Sequence, residues 1–364
     1  MSLSAGIVGL PNVGKSTLFN ALSAAEAESA NYPFCTIDPN VGVISVPDPR
    51  LEIIEERIDP EEAIPAAVEF LDIAGLVRGA SEGEGLGNQF LSNIREVDAL
   101  VHVVRCFEDD DIAHVEGSVD PERDVDIIQT ELIVADLETL ESRLEKARRS
   151  AKGDDREAAD RVDLLEKVRA TLDDGRPART VELDDRREQL LHDSHLLTRK
   201  PALYVANVSE AALLEGSPHV QTLREIAADE GAEVVEVCAS LEEELGELEE
   251  SEQQAMLEEF GLDEPALHRL VRETYRVLGL QTFFTIANDK LRAWPIPVGA
   301  TAPEAAGVVH SDFEEHFIKA EVFSVEDLVE CGDRTSIRDA GRMRVEGKDY
   351  VVRDGDILQI RHDA

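Results

Sequence analysis

A chain of 364 residues has room for two or three domains, and 78 acidic against 36 basic residues leave it a net charge of −42. Such an excess repels itself at ordinary salt, where the Debye length is about 10 Å, and far less at molar salt, where it is about 3 Å. Acidic residues run through the whole chain and lysine is scarce beside arginine, so the charge points to a salt-rich, halophilic cytoplasm and says more about habitat than about a partner. The apolar N-terminus is too short for a signal peptide and no apolar run approaches the ~20 residues of a membrane span, so a soluble cytoplasmic protein with no membrane contact is expected. Cys35, Cys106, Cys238 and Cys331 are scattered without a C-x-x-C pair and read as reduced thiols, with no zinc site.

The first strand, Ala5–Val8, runs into Gly9-Leu10-Pro11-Asn12-Val13-Gly14-Lys15-Ser16-Thr17, a G-x-x-x-x-G-K-S phosphate loop. Gly9 and Gly14 let the backbone curl so that its N–H groups face phosphate oxygens. Lys15 brings charge to the β- and γ-phosphates, and the Ser16 hydroxyl can ligate Mg²⁺. A helix over Thr17–Ala25 turns its N-terminus to the same place.

A proline-punctuated loop, Asn31–Asn40, contains Cys35, read as a small apolar residue, and Thr36. A strand over Val41–Val46 and a helix around Arg50–Arg57 follow. The strand Val68–Leu71 leads into Asp72-Ile73-Ala74-Gly75, a D-x-x-G in which the Asp can reach Mg²⁺ through water and the Gly75 N–H can meet a γ-phosphate. The glycine-rich Gly79–Asn88 predicts a mobile loop, followed by a helix to Ile94 and the strand Ala99–Arg105, where His102 reads as a packed residue.

Nearly a hundred residues separate that strand from the next, Ala202–Asn207. Ile133, Leu137, Leu140, Leu144 and Ala147, then Ala158, Val162, Leu165, Val168 and Leu172, keep a four–three spacing around a turn at Gly153-Asp154-Asp155. This is an antiparallel helical hairpin, either a partner-contacting arm or a structural insertion. A helix over His219–Glu230, a strand over Glu233–Val237 ending at Cys238-Ala239-Ser240, and a solvated acidic face around Glu242–Glu250 complete this part.

From Gln281 the texture becomes α+β: an edge-type strand Leu291–Val298, a short helix Ala302–Val308, a strand Phe317–Phe323, and a hairpin of Tyr350–Val352 with Ile357–Ile360 turned at Asp354-Gly355. Arg334, Arg338, Arg342, Arg344, Lys348, Arg353 and Arg361 make this segment near neutral. It could face RNA phosphates or an acidic partner, or carry ordinary surface charge.

Across essentially the whole chain the pattern resembles the YchF, or Obg-like, ATPases. The carrying stretches are Gly9–Thr17, Asn31–Asn40, Asp72–Val77, Gly79–Asn93, Val101–Gly117, the helical insertion, Asn207-Val208-Ser209-Glu210 and Ala300–Val322. The resemblance implies an α/β fold: an Obg-type P-loop NTPase domain over 1–125 and 200–280, a helical coiled-coil insertion over 126–199, and a C-terminal β-grasp (TGS) domain over 281–362. It implies nucleotide binding by Gly9, Asn12, Val13, Gly14, Lys15, Ser16, Thr17, Gly75, Asn207, Val208, Glu210 and Ser240, and Mg²⁺ held by Ser16 and Thr36 with Asp72 behind them.

Two departures from ordinary GTPases stand out. Guanine-selective proteins use N-K-x-D; here Val208 replaces the lysine and Glu210 sets the acceptor one methylene further out. That spoils the pairing with guanine and relaxes or reverses the preference. Family resemblance then implies ATP over GTP. Leu76 stands where many GTPases carry the water-orienting Gln. Such groups contribute about 10²–10⁴-fold, so either hydrolysis is slow or another group substitutes. His114, in the acidic turn after Asp109, is the candidate, unless it is a plain surface histidine. Asn12 sits where some P-loop enzymes bind K⁺. The reading is a monomeric, slow ATPase switch, with Lys15 and His114 catalytic, Mg²⁺ and K⁺ as its ions, and the ribosome or translation factors as partner. Its TGS domain is the expected place of RNA contact. The rivals are a GTPase of ribosome assembly and a nucleotide-gated ribosome- or RNA-binding adaptor.

Overall fold

The computed structural model describes residues 3–29, 40–73, 86–150 and 156–363. The chain divides into two compact units. One comprises residues 1–28, 36–42 and 69–270, and the other 29–35, 43–68 and 271–364. Residues 43–68, expected with the nucleotide-binding part, therefore group with the C-terminal unit.

The strands are β1 (Ser4–Val8), β2 (Val41–Ser45), β3 (Glu62–Ile64), β4 (Ala67–Asp72), β5 (Ala99–Arg105) and β6 (Ala202–Asn207). They continue with β7 (Glu233–Val237), β8 (Leu280–Ala287), β9 (Lys290–Pro297), β10 (Phe317–Ser324), β11 (Arg344–Glu346) and β12 (Asp356–His362). The first helices are α1 (Lys15–Ser29), α2 (Pro49–Ile58), α3 (Leu86–Glu96), α4 (Pro121–Ser150) and α5 (Arg156–Asp173). Next come α6 (Asp185–His192), α7 (Glu210–Glu215), α8 (Pro218–Glu230), α9 (Ala239–Leu245) and α10 (Glu250–Glu259). The last are α11 (Ala266–Val277), α12 (Ala302–Val309), α13 (Ser311–Glu315), α14 (Val325–Cys331) and α15 (Arg334–Asp339).

The first sheet runs in the order β2-β4-β1-β5-β6-β7. β1 lies parallel between β4 and β5, and β6 and β7 continue parallel beyond β5. β1, β5 and β6 are buried along their whole length, which is why their sequences are continuous apolar runs and not alternating ones. Register pairs Ile7 with Asp72, Val8 with His102 and Arg105 with Asn207. The carboxyl ends of neighbouring strands thus fall on one edge, where open parallel sheets take their ligands. His102 is buried and packed against the Tyr204 ring, and burial pushes its imidazole down to about 3.

α4 has 30 residues, about 45 Å of helix, and packs against α5. Leu140, Leu144, Leu165, Val168 and Leu172 form their shared core, with Leu164 added and Leu137 and Val162 at its margin. The turn at Gly153–Asp155 lies outside the described residues. Lower on α4, the buried Asp136 carboxylate accepts hydrogen bonds from the Leu197 and Thr198 amides (2.8 Å each) and from the Thr198 hydroxyl (2.7 Å).

The acidic run Glu242–Glu250 is not uniformly solvated. It splits between α9 and α10, and Glu242 is 3 % exposed. Its carboxylate accepts from the Ala266 amide at 2.8 Å and so satisfies the first turn of α11, while burial pushes its pKa up to about 7.

The C-terminal unit's sheet runs β11-β10-β12-β8-β9-β3. The expected hairpin of 350–352 with 357–360 does not form. Val351 makes a lone antiparallel bridge to Thr301, while β12 pairs antiparallel with β10 and parallel with β8. The reason is local. The Val352 amide donates to Ala300 O (2.9 Å) and Ala302 N donates to Tyr350 O (2.8 Å), so that stretch has its partners beside α12. The edge strand β3 pairs parallel with β9, and Arg50 at the start of α2 reaches Asp354 at 2.8 Å.

The arginines of this unit are largely self-satisfied. Arg334, Arg338 and Arg361 converge on Glu321 at 2.6, 3.3 and 3.9 Å. Arg342 pairs with Asp327 and Glu330, and Arg344 with Asp356. The near-neutral segment is therefore mainly an internal charge network. Among the described residues, no helix is long and apolar enough to cross a membrane. Cys106, Cys238 and Cys331 are free thiols, and Cys35 lies outside the described residues.

Candidate nucleotide site

The loop after β1 closes as its glycines require. Gly9 has φ +152°, and a Cβ there would stand 2.4 Å from the Val103 carbonyl oxygen. Gly14 has φ +97°, and a Cβ there would stand 2.2 Å from the Asn207 amide nitrogen. Neither position admits a side chain without moving the backbone or the brace behind it. Asn12 is left-handed too, at φ +63°, a conformation asparagine tolerates. Val13 is buried, Ser16 is exposed and Thr17 is half-buried at the start of α1.

Lys15 is 7 % exposed, and its ammonium donates to the carbonyls of Gly9 (3.0 Å) and Leu10 (2.7 Å). Burial lowers its pKa to about 8, an effect that Asp72 opposes. This is a desolvated cation short of negative charge, a state that an arriving phosphate corrects. Asp72, the last residue of β4, is shifted the other way. Burial raises its pKa, while Lys15 and a hydrogen bond from Ser16 hold it back.

One Asp72 oxygen, Oδ1, is buried without a hydrogen-bond partner. An orphaned carboxylate oxygen beside a serine hydroxyl is a hard-oxygen donor set of the kind Mg²⁺ takes, so the residues present fit the ion. Thr36, Gly75, Leu76 and the glycine-rich 79–85 lie outside the described residues.

Asn207, at the end of β6, is 5 % exposed and hydrogen-bonded through both ends of its amide. Its amide donates to Val13 O at 2.9 Å, and its carbonyl oxygen accepts from the Ala239 amide at 3.2 Å. It ties the phosphate loop to the turn after β7. Val208 is 2 % exposed in a core cluster with Val104, Cys106, Tyr204 and Leu223, so its side chain faces the interior. Ser209 caps α7, exposed Glu210 is that helix's first residue, and Ser240 is exposed just beyond β7.

His114 is not a surface histidine. Its side chain is 5 % exposed; Nε2 lies 2.9 Å from Asp124 Oδ2 and Nδ1 accepts from the Glu116 amide at 3.1 Å. In this arrangement both ring nitrogens are engaged. Arg105 and Asp124, neither part of a sequence motif, organise the turn around it. Arg105, 1 % exposed, donates to the carbonyls of Phe107 (3.0 Å), Asp109 (3.1 Å) and Ile112 (2.9 Å). Asp124 receives Arg123 at 2.8 Å on its other oxygen. The only signal for Arg105 was a charge closing an otherwise apolar strand. Asn12 Nδ2 donates to Ala113 O at 3.1 Å, so the phosphate loop holds this turn directly.

Comparison with known proteins agrees with this architecture. Residues 4–149 match a family described as "50S ribosome-binding GTPase". Residues 280–363 match the C-terminal family of YchF GTPases, described as "Protein of unknown function (DUF933)". The chain is 52 % identical to the "Ribosome-binding ATPase YchF" of Bacillus subtilis over the whole of both chains. It is 51 % identical, again over the whole of both, to the protein of that name from Haemophilus influenzae. The structure of the Schizosaccharomyces pombe YchF GTPase superposes with a TM-score of 0.90 at 36 % identity, covering 99 % of this chain and 98 % of that one. With a phosphate loop, an Asp-terminated β4 and a YchF-type C-terminal unit in one continuous match, this chain belongs to the YchF family.

Proposed function

We propose that this protein is a Mg²⁺-dependent nucleoside triphosphatase that hydrolyses ATP in preference to GTP and acts as a slow switch on the ribosome. The observation that carries the base preference is the state of Asn207-Val208-Ser209-Glu210. Asn207 braces Val13 and Ala239 with one donor and one acceptor, Val208 is in the core, and no lysine stands where guanine-selective sites have one. A pocket without guanine's partners has lost its means of rejecting adenine. The names of the bacterial relatives point the same way, and that of the yeast structure keeps a GTPase as the second reading. Competition of ATP against GTP at molar salt tests it, and a clear GTP preference overturns it.

The chemistry follows from the site. Lys15 turns from the Gly9 and Leu10 carbonyls to the β/γ-oxygens, and the loop amides with the α1 N-terminus take the remaining charge. Mg²⁺, on Ser16 and Thr36 with Asp72 Oδ1 reached through water, would supply neutralisation of the β/γ charge. K⁺ would be taken beside Asn12. Without a Gln at Leu76, His114 is the side chain assigned to the attacking water, and positioning accounts for most of the rate.

Ribosome contact is assigned to the α4–α5 pair and to the C-terminal unit, read as a TGS domain. RNA phosphates there would compete with Glu321, Asp327 and Asp356 for the arginines. A monomer in a salt-rich cytoplasm completes the reading.

A further inference from the structure

His114 cannot serve a water while both of its ring nitrogens are engaged, so the question is which bond yields. Nδ1 accepts from a backbone amide, so it carries no proton, and Nε2 must be the protonated nitrogen that donates to Asp124. The two bonds differ in kind. The Nδ1 partner is a neutral N–H in a turn whose residues Ile112, Ala113 and Val115 are exposed. The Nε2 partner is a carboxylate 2 % exposed, whose second oxygen is already fixed by Arg123 Nη2 at 2.8 Å and Nε at 3.2 Å. Releasing Nδ1 frees one neutral amide in a turn with exposed neighbours, whereas releasing Nε2 removes a donor from a buried carboxylate. The first is the cheaper event.

The turn is also connected to the phosphates. Arg105 holds it by three carbonyls, and Asn12 holds the carbonyl of the residue just before His114.

We propose that Asp124 is the positioning residue for His114. It keeps the proton on Nε2 and the ring in place, so that Nδ1, freed from the Glu116 amide, is the nitrogen that accepts a hydrogen bond from the attacking water. Asn12 links that release to the phosphate loop. This rests on the reading of His114 as the water-orienting side chain, and adds to it which nitrogen acts and what sets the tautomer.

The test uses the full chain at molar KCl, with kcat and KM for ATP measured in wild type, Asp124→Asn, Asp124→Glu and His114→Ala. Asp124→Asn is expected to lower kcat by at least about tenfold with KM within about twofold, and Asp124→Glu to lie between it and wild type. Side-chain ¹⁵N spectra with a non-hydrolysable ATP analogue bound, where Nδ1 is released from the Glu116 amide, supply a readout that simple loosening would not move: wild-type His114 as the Nε2–H tautomer, and a mixture of tautomers in Asp124→Asn. A kcat within about twofold of wild type in Asp124→Asn, with His114→Ala impaired, overturns the role of Asp124 and leaves that of His114 standing. An unchanged kcat in His114→Ala overturns both. If Asp124→Asn does not fold, Asp124→Glu is read alone. It keeps the charge and displaces the 2.9 Å contact, so lowered kcat at constant KM supports the assignment and unchanged kcat refutes it.

Discussion

Replacing Asn207 with alanine separates two roles that an asparagine in this place can have: reading the base and bracing the phosphate loop. The structure favours the brace. The substitution strands two buried backbone groups, Val13 O and the Ala239 N–H, which now bond to it at 2.9 and 3.2 Å. A buried polar group left without a partner costs about 1–3 kcal/mol, so two give about 2–6 kcal/mol. Part of that loss appears as stability and part as affinity, since the loop that receives phosphate is the one released.

The informative assay sets three ligands side by side: ATP, GTP and inorganic tripolyphosphate, by calorimetry at constant molar salt, with denaturant unfolding of the free protein. A brace predicts that all three weaken by a similar factor and that unfolding loses about 2 kcal/mol or more. The reasoning is refuted if tripolyphosphate binding is untouched while ATP weakens, or if stability is unchanged.

Other expectations follow from the same structure. Glu242 has a native pKa of about 7 against 4.5 unfolded, so its native form holds a proton more tightly. That contribution is complete below pH 4.5 and lost as pH rises through 7, and Glu242→Gln should therefore gain on wild type by up to roughly 3 kcal/mol between those limits, a difference that unfolding at pH 4.5 and 8.5 would read. Arg105→Lys, which cannot serve three carbonyls from one plane, should lower kcat more than it weakens ATP binding, checked by comparing turnover with binding of a non-hydrolysable analogue. Lys15→Ala should abolish measurable hydrolysis while leaving the fold intact, seen by turnover and circular dichroism. Finally, the midpoint of thermal unfolding should climb steeply between about 0.1 M and 2 M KCl and recover when salt is restored, as a net charge of −42 demands.

What could be read in advance follows from how each residue acts. Gly9, Gly14, Lys15 and Asp72 work through backbone shape and charge at the ends of apolar strands, and both leave local marks in sequence. Asn207 was visible as a site residue, but its partners, Val13 O and Ala239 N, are backbone atoms far away in the chain, so its task as a brace was not. Arg105 was hidden for the same reason: three carbonyls carry no residue identity. Glu242 disappeared among its acidic neighbours because only burial distinguishes it, and burial depends on where α11 begins. Asp354-Gly355 does turn the chain, but Tyr350–Val352 has already found hydrogen bonds beside α12, so the turn closes no hairpin. The grouping of residues 43–68 with the C-terminal unit had no compositional trace at all.

That last feature bears on inheritance and on folding order. The C-terminal unit is not a contiguous stretch of gene: its edge strand Glu62–Ile64 and the arginine that closes on Asp354 are encoded ahead of most of the N-terminal unit. A piece cut at Leu270 would leave β9 with an unpaired edge, and the N-terminal piece would carry an α2 that has lost α14 and β9. During synthesis Glu62–Ile64 must wait for the last quarter of the chain before it can pair with β9. Recombination could not exchange this C-terminal unit as a cassette without also rewriting the segment between the phosphate loop and Asp72.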